Sequence, residues 1–267
     1  MAQVSFLLVA LCGSSVALAQ DPFQVAGAHY HRLFENEFAQ VARVSYGAHE
    51  TTPVHDHPST PTVLFLYVTD GASLRFYHKT GEVMGLDFER PPVKAGGIRF
   101  ARGLPETHAV EYTGDTPMEY LRIAFKTEPM DAPVKDVRLA RLALDPAKPA
   151  MQNQFENGQI RILRVLCPAG ESCPISEHPG DPAIVVTLSG PDRGKAEWSP
   201  HAIPIGPLEQ TRIELKTKPA HQETQVFRSS KTDTAALSRV SGRSLNRLRV
   251  CPIGGWPKVL RGRPTPA

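Results

Sequence analysis

The stretch TTPVHDHPST, residues 51–60, is followed closely by the apolar run VLFLYV, residues 63–68. Side chains along a strand point alternately to opposite faces, so His55 and His57 would share one face while Asp56 points away from it. Two imidazoles at this spacing bind one metal ion only with a third ligand from elsewhere in the fold. Taken alone, the pair is more typical of solvated side chains on a strand, so the choice depends on the rest of the sequence.

The composition is that of an ordinary globular protein. A chain of 267 residues with 41% hydrophobic residues can bury one large core or two small ones. The net charge of +3 conceals a basic C-terminus, because residues 217–267 hold ten lysines and arginines but two acidic residues. This segment has no apolar periodicity and no helical spacing of charge, so we expect a disordered basic tail over 218–267 and no nucleic-acid partner. The sequence contains no P-loop, dinucleotide fingerprint, nucleophile elbow or zinc-finger spacing.

The N-terminal residues resemble a secretory signal. An apolar run over residues 4–11 is followed by the small-x-small pattern Ala17-Leu18-Ala19. We therefore expect a signal peptide over residues 1–19 and export to the periplasm or the exterior. The alternative is a membrane anchor, since no lysine or arginine precedes the run, but the run is shorter than the ~18 residues that a span requires. No later segment is long and apolar enough to cross a membrane, so we expect no transmembrane span in the mature chain.

The cysteines leave two interpretations open. Removal of the signal leaves Cys167, Cys173 and Cys251, an odd number in an oxidising compartment. In CPAGESC, residues 167–173, the Pro-Ala-Gly could turn the chain and let Cys167 meet Cys173, whereas a straight strand would hold them about 20 Å apart. The alternative is a pair of inert buried thiols.

An internal repeat organises the chain. Phe34-Glu35-Asn36 recurs as Phe155-Glu156-Asn157, an offset of 121 residues. Several ungapped matches at fixed offsets predict two copies of one module. The other matches are Arg43-Val44 with Arg164-Val165, His57-Pro58 with His178-Pro179, and PMEYLRIAFK at 117–126 with PLEQTRIELK at 207–216.

The repeat sets the expected domain boundaries. We expect an N-terminal domain over residues 28–128, a linker over 129–152, and a C-terminal domain over 153–217. The linker is expected to hold a short helix around residues 134–144. The second copy is shorter, mainly before His201, so we expect that it has lost a central hairpin.

The periodicity within the first copy is that of strands. Residues 121, 123 and 125 are apolar and alternate with Arg122, Ala124 and Lys126. Glycine-containing turns recur between such segments, for example at Gly96-Gly97 and at Gly114. Several short strands separated by turns predict an all-β antiparallel barrel or sandwich.

Two histidine-containing blocks resemble the conserved blocks of the cupin superfamily. The first comprises Gly47, His55 and His57, followed by the apolar strand and Gly71. In the second, Gly97 is followed by five residues, Gly103-Leu104-Pro105, two residues and His108, with proline and glycine exchanged relative to the family pattern. The resemblance covers residues 30–216.

This resemblance implies an all-β fold, a duplicated double-stranded β-helix with a jelly-roll-like barrel and a truncated second copy. It also implies that His55, His57 and His108 converge on a divalent metal ion, with iron, zinc, copper and nickel suited to imidazole ligands. The family's glutamate should fall at position 61 or 62, where this sequence has proline and threonine. Three other glutamates could replace it, Glu50, Glu106 and Glu111.

The second copy departs further from the family pattern. Ser176 stands at the place of the first histidine, His178 remains, and His201 matches the third. Two histidines without a carboxylate make a poor metal site. We therefore expect no metal in the second copy.

The resemblance leaves two functions open. One is a metal-dependent enzyme that acts on a small oxygenated molecule in the manner of the dioxygenases, isomerases or decarboxylases of the family. The other is a non-catalytic cupin that binds a small ligand or serves structurally without metal. Fold alone does not choose between them, so whether the protein is an enzyme stays open. Either function is compatible with a homo-oligomer.

Overall fold

The computed structural model describes residues 20–81, 83–128, 136–198 and 207–219. The predictions for the signal peptide, His201, Cys251 and nearly all of the basic tail lie outside these ranges. No helix in the described ranges combines the length and apolar character needed to cross a bilayer. The elements are α1 (Pro22–Val25), β1 (Tyr30–Glu35), β2 (Ala39–Tyr46), β3 (His55–His57), β4 (Thr60–Tyr67), β5 (Leu74–Thr80), β6 (Val83–Arg90), β7 (Ile98–Gly103), β8 (Glu106–Tyr112), β9 (Met118–Phe125), β10 (Val137–Leu139), β11 (Ala150–Glu156), β12 (Ile160–Cys167), β13 (Ala183–Thr187), β14 (Ala196–Trp198) and β15 (Leu208–Leu215).

The first nine strands form a jelly-roll barrel. A six-stranded antiparallel sheet has the order β1-β2-β9-β4-β7-β10, and a four-stranded sheet has the order β3-β8-β5-β6. Two sheets of the orders β2-β9-β4-β7 and β3-β8-β5-β6 are those of an eight-stranded jelly roll. The prediction of an all-β double-stranded β-helix is therefore confirmed.

The barrel interior is filled by alternate residues of both sheets. Val63, Phe65 and Tyr67 of β4 point inward, as the two-residue period of a strand requires. Leu74 and Phe76 of β5 meet them from the opposite sheet. This packing fixes the register of β4, because a slip by one residue would turn its inward set outward.

A third sheet covers the outer face of the six-stranded sheet. It has the order β11-β12-β15-β13-β14. The other residues of β4, Leu64 and Leu66, pack in one buried cluster with Ile162, Ile184 and Ile213 of this third sheet. Strand β4 is therefore buried on both faces, which explains why VLFLYV is apolar without interruption.

The third sheet and the six-stranded sheet have matching registers. In the third sheet, Ile213 pairs with Ile162 and Ile184, and in the six-stranded sheet Ile123 pairs with Val41 and Leu64. The bulge of β1 lies between residues 32 and 34, and the bulge of β11 between residues 153 and 155, which is again an offset of 121. The terminal lysines of the repeated block also match, since Lys126 pairs with the glutamate at 35 and Lys216 with that at 156.

The predicted helix at residues 134–144 is wrong in its described part. Residues 137–139 form β10, which pairs with the edge of β7. Val137 and Leu139 pack against the cluster between the sheets, while Arg138 between them is exposed. A two-residue alternation beside an open sheet edge favours a strand over a helix.

Cys167 and Cys173 form a disulfide with a Cα–Cα distance of 5.0 Å. The chain reverses between them through a turn in which the backbone N–H of Glu171 donates to the carbonyl oxygen of Pro168. Gly170 has a φ of +80° in this turn, a conformation that glycine adopts without strain. The structure therefore contains the disulfide that a turn in CPAGESC allows, and not the two buried thiols of the alternative.

Candidate metal centre

Two paired strands bring the three histidines together. Strand β3 carries His55 and His57 on one face, and β8 carries His108 directly opposite His55. All three side chains are buried, with at most 5% of each residue exposed. One ring nitrogen of each lies within 4.8 Å of one nitrogen of the other two, so the group could hold a metal ion.

The proton position on His55 is fixed by the backbone. Its Nδ1 lies 2.8 Å from the carbonyl oxygen of Pro53. A carbonyl only accepts hydrogen bonds, so Nδ1 carries the proton and Nε2 presents a lone pair. That lone pair faces Nε2 of His108 at 3.2 Å.

Neither neutral tautomer of His108 satisfies both of its contacts. If His108 Nε2 carries the proton and donates to His55, its Nδ1 lone pair faces Oε2 of Glu106, 3.5 Å away. If Nδ1 carries the proton, two Nε2 lone pairs face each other. Among the described residues His108 Nδ1 has no hydrogen-bond partner. An ion about 2.0–2.1 Å from both Nε2 atoms would hold them roughly 3.0–3.4 Å apart, which fits the separation observed.

The carboxylate of Glu106 lies next to Nδ1 of His108. Glu106 Oε2 accepts a hydrogen bond from Nε2 of His78 at 3.1 Å, and Asp87 lies 3.2 Å from the other ring nitrogen of His78. Burial acts to raise the pKa of Glu106, but the contacts with His108 and His78 outweigh it and lower this pKa to about 2. Glu106 is therefore ionised, and it is placed to orient His108 from the side away from the other two histidines.

The other candidate replacements for the family's glutamate lie elsewhere. Glu50 accepts a hydrogen bond from the backbone N–H of Gly47, and Glu111 accepts one from the Tyr77 hydroxyl. Thr62, at one of the two positions expected for the glutamate, donates to Gln159 instead. Among these carboxylates only Glu106 touches the histidine group.

Burial keeps His55 and His57 uncharged. It lowers the pKa of His55 to about 4, and it lowers the pKa of His57 far below its ordinary value, with the positive charge of Arg122 as the next cause. Neutral imidazoles are the form that binds metal ions. Tyr30 packs its ring edge against His55, with centroids 5.1 Å apart, and limits the movement of that ring.

A cavity of about 820 Å³ opens beside His57. Its wall includes Gln40, Ala42, Ala124 and Arg122. The sequence pattern does not mark Arg122 as a cavity residue, because an arginine alternating with apolar residues suggests a solvent-facing position. The available signal was the repeated Arg-Ile pair, which places an arginine at the same point of both blocks.

The third sheet has a different cluster at the corresponding place. Glu214 is fully buried and accepts hydrogen bonds from Ser176, from Arg161 at 2.9 Å and from Arg212 at 2.9 Å. His178 is exposed. Among the described residues from 150 to 219, no group of three metal-ligating side chains occurs.

No protein-family model matches the chain, and no curated protein matches it. Several solved structures are similar to it at low identity. AerE from Microcystis aeruginosa has 11% identity, a TM-score of 0.42, and coverage of 72% of this chain and 92% of its own. YhaK from Escherichia coli has 12% identity, a TM-score of 0.43, and coverage of 74% and 97%. A cupin 2 conserved barrel domain protein from Leptotrichia buccalis has 12% identity, a TM-score of 0.38, and coverage of 71% and 83%.

Proposed function

We propose that the N-terminal barrel binds one divalent transition-metal ion through His55, His57 and His108 and acts on or binds a small oxygenated molecule in the adjoining cavity. The observation that carries the proposal is the 3.2 Å approach of two Nε2 atoms when the backbone fixes the lone pair of His55. A metal ion between them removes the conflict that either neutral tautomer of His108 leaves, and metal analysis distinguishes it from a second proton on His108.

The chain's own residues prepare this site. Pro53 fixes the tautomer of His55, and Glu106 orients His108. Burial keeps His55 and His57 neutral, the form that binds a metal ion. When bound, the ion supplies Lewis-acid polarisation of a substrate oxygen, and three neutral ligands leave coordination positions for it.

The histidine set favours particular metals. Three imidazoles without a carboxylate suit zinc, iron, copper or nickel better than the harder manganese ion. A dioxygenase-, isomerase- or decarboxylase-like reaction is compatible with such a site, and the chemistry of the ligand decides among them.

We propose a two-cupin protein with an N-terminal domain over 28–128 and a truncated metal-free copy over 153–217, exported after removal of residues 1–19. The offset of 121 shared by the sequence matches and the strand bulges supports the duplication. N-terminal sequencing of the secreted protein tests the processing step, and Gln20 is the expected first residue.

Metal analysis tests the proposed site. Plasma mass spectrometry on the purified protein should find close to one equivalent of zinc, iron, copper or nickel. The variant His55→Ala/His57→Ala/His108→Ala should lose it. The control His31→Ala/His178→Ala removes two exposed histidines and should keep it. Equal trace metal in all three proteins, even after incubation with added ions, would leave the non-catalytic, metal-free cupin as the better interpretation.

A further inference from the structure

Arg122 is a buried cation that forms no ion pair with the described residues. Only 8% of the residue is exposed, and its side chain lines the cavity beside His57. Among the described residues it makes no hydrogen bond and no ion pair, and burial lowers its pKa. Burying a guanidinium without a counter-charge is unfavourable, so an anion in the cavity beside Arg122 would stabilise the folded chain.

The acidic residues of the cavity do not serve that purpose. Asp56 accepts hydrogen bonds from the Thr107 hydroxyl and from the backbone N–H of Gln20, at 2.6 and 2.7 Å. Asp21 accepts from a backbone N–H at the start of α1. Glu106 is engaged by His78. Each of these carboxylates already has a donor, and none lies within ion-pair distance of Arg122.

The third sheet shows what an arginine at this position binds. The strand registers make Arg212 the counterpart of Arg122, and they make Glu214 the counterpart of Ala124. Arg212 donates to the Glu214 carboxylate at 2.9 Å. In the barrel, Ala124 has only a methyl group at the position of Glu214. The space that the Glu214 carboxylate fills in the third sheet is therefore part of the cavity in the barrel.

We propose that Arg122 binds the carboxylate of a small acidic ligand whose adjacent oxygen reaches the metal site. The ligand carboxylate takes the place that Glu214 occupies in the third sheet. This deepens the proposed function and rests on it for the second oxygen, whereas the contact with Arg122 stands on the cavity and the buried guanidinium alone. Guanidinium groups bind carboxylates through two parallel hydrogen bonds, which fixes orientation as well as charge.

The charge of the site points the same way. Three neutral imidazoles leave the charge of a divalent ion unbalanced, and Arg122 adds a further positive charge close by. The family's carboxylate ligand is replaced by Pro61 or Thr62. The carboxylates of the cavity wall, those of Asp21, Asp56 and Glu106, already accept hydrogen bonds from the protein. An anionic ligand adds negative charge next to Arg122 and the ion.

Calorimetry with pyruvate as the probe tests the inference. Pyruvate carries a carboxylate beside a carbonyl oxygen, and pyruvamide is its neutral counterpart. The zinc-loaded protein should bind pyruvate at least about 10-fold more tightly than Arg122→Gln does, since a charge-assisted hydrogen bond contributes about 1.5–3 kcal/mol. Pyruvamide should bind the two proteins alike. Arg32→Gln, which removes a half-exposed cavity arginine already paired with Glu35, should stay within about threefold of wild type.

The outcomes separate the two proposals. Equal pyruvate affinity of wild type and Arg122→Gln at equal zinc content would overturn the inference and leave the metal site intact. If neither protein retains zinc, iron, copper or nickel, the metal proposal fails, and the chelator-treated proteins decide the inference. If chelator-treated wild type still binds pyruvate, though more weakly, and Arg122→Gln does not, the inference is supported. If chelator-treated wild type does not bind pyruvate, the inference is overturned. An Arg122-dependent preference for inorganic phosphate over pyruvate would also overturn it.

Thermal unfolding gives an independent readout. If Arg122 destabilises the ligand-free protein because its cavity is empty, replacing Arg122 should raise the temperature at which that protein unfolds. We expect the unfolding midpoints of Arg122→Gln and Arg122→Met to lie at least about 2 °C above that of wild type. Adding pyruvate should raise the midpoint of wild type but not those of the two variants. A lowered midpoint in both variants would show a structural role and contradict the inference.

Discussion

Asn36 and Asn157 build the same turn in the two halves of the molecule. The side-chain oxygen of Asn36 accepts hydrogen bonds from the backbone N–H groups of Phe38 and Ala39, at 2.9 and 3.0 Å. Asn157 accepts the corresponding bonds from residues two and three positions ahead, at 2.9 and 2.8 Å. These turns join β1 to β2 and β11 to β12, so each asparagine closes the hairpin that begins its half.

Replacement of either asparagine should destabilise the fold. Asn36→Ala and Asn157→Ala each remove two hydrogen bonds from a tight turn, which predicts a loss of about 1–3 kcal/mol in the free energy of unfolding. Urea denaturation measures it. Asn153→Ala is the control, because this exposed amide donates to Glu156 only and should change stability by less than about 0.5 kcal/mol. If Asn157→Ala matched this control, the second turn would not contribute.

Removing the charge of Glu106 should weaken metal binding without abolishing it. Loss of a carboxylate that orients a metal-binding histidine costs about 10–100-fold in affinity, so Glu106→Gln should bind zinc that much less tightly. Competition with a fluorescent chelator measures the affinity. Glu111→Gln changes the opposite face of β8, where Glu111 contacts Tyr77, and should bind zinc as wild type does. Equal affinities in both variants would contradict the role given to Glu106.

The disulfide should contribute to stability. The loop between Cys167 and Cys173 is short, with a sequence separation of 6, which predicts a stabilisation of about 2 kcal/mol. Cys167→Ser/Cys173→Ser should lose that amount in urea denaturation, and reduced wild type should match it. Thiol titration of the denatured, unreduced protein should detect Cys251 but neither bridged cysteine. Free thiols at 167 and 173 would contradict the bridge.

Acid should weaken the ion pairs of Glu156 with Arg161 and Lys216. Hydrogen bonds from Arg161 and Lys216 lower the pKa of Glu156 from its ordinary 4.5 to about 2. The unfolded chain therefore takes up the proton at higher pH than the folded one, and stability falls as the pH drops from about 4.5 to about 2. Glu156→Gln should unfold at a lower temperature than wild type at pH 6, and the gap should close near pH 2. A constant gap across this range would refute the linkage.

Much of the fold and site was predictable because strand geometry is regular. The two-residue period places His55 and His57 on one face, and the resemblance to cupins supplied His108. The same period does not reveal that Arg122 faces the cavity. In an ordinary antiparallel sheet an arginine between apolar residues faces water, but here the six-stranded sheet is covered on both sides. Sequence pattern cannot distinguish a water-filled face from a cavity wall.

The role of Glu106 was unpredictable for a related reason. Three glutamates were candidates, and only the pairing of β3 with β8 decides among them. His57 lies opposite Glu106 in this pairing, and the carboxylate lies on the Nδ1 side of His108. Such a position depends on which strands become neighbours, and distant neighbours are not encoded in the local spacing of one segment.

The third sheet cannot close until strand β15 has been synthesised. It is the last strand of the described chain, yet it lies between β12 and β13 in the middle of the third sheet. A ribosome must therefore deliver residue 215 before that sheet can close over the apolar outer face of β4. Chains terminated before Leu208 present this face to chaperones and proteases, so we expect incomplete products to be cleared rather than to accumulate.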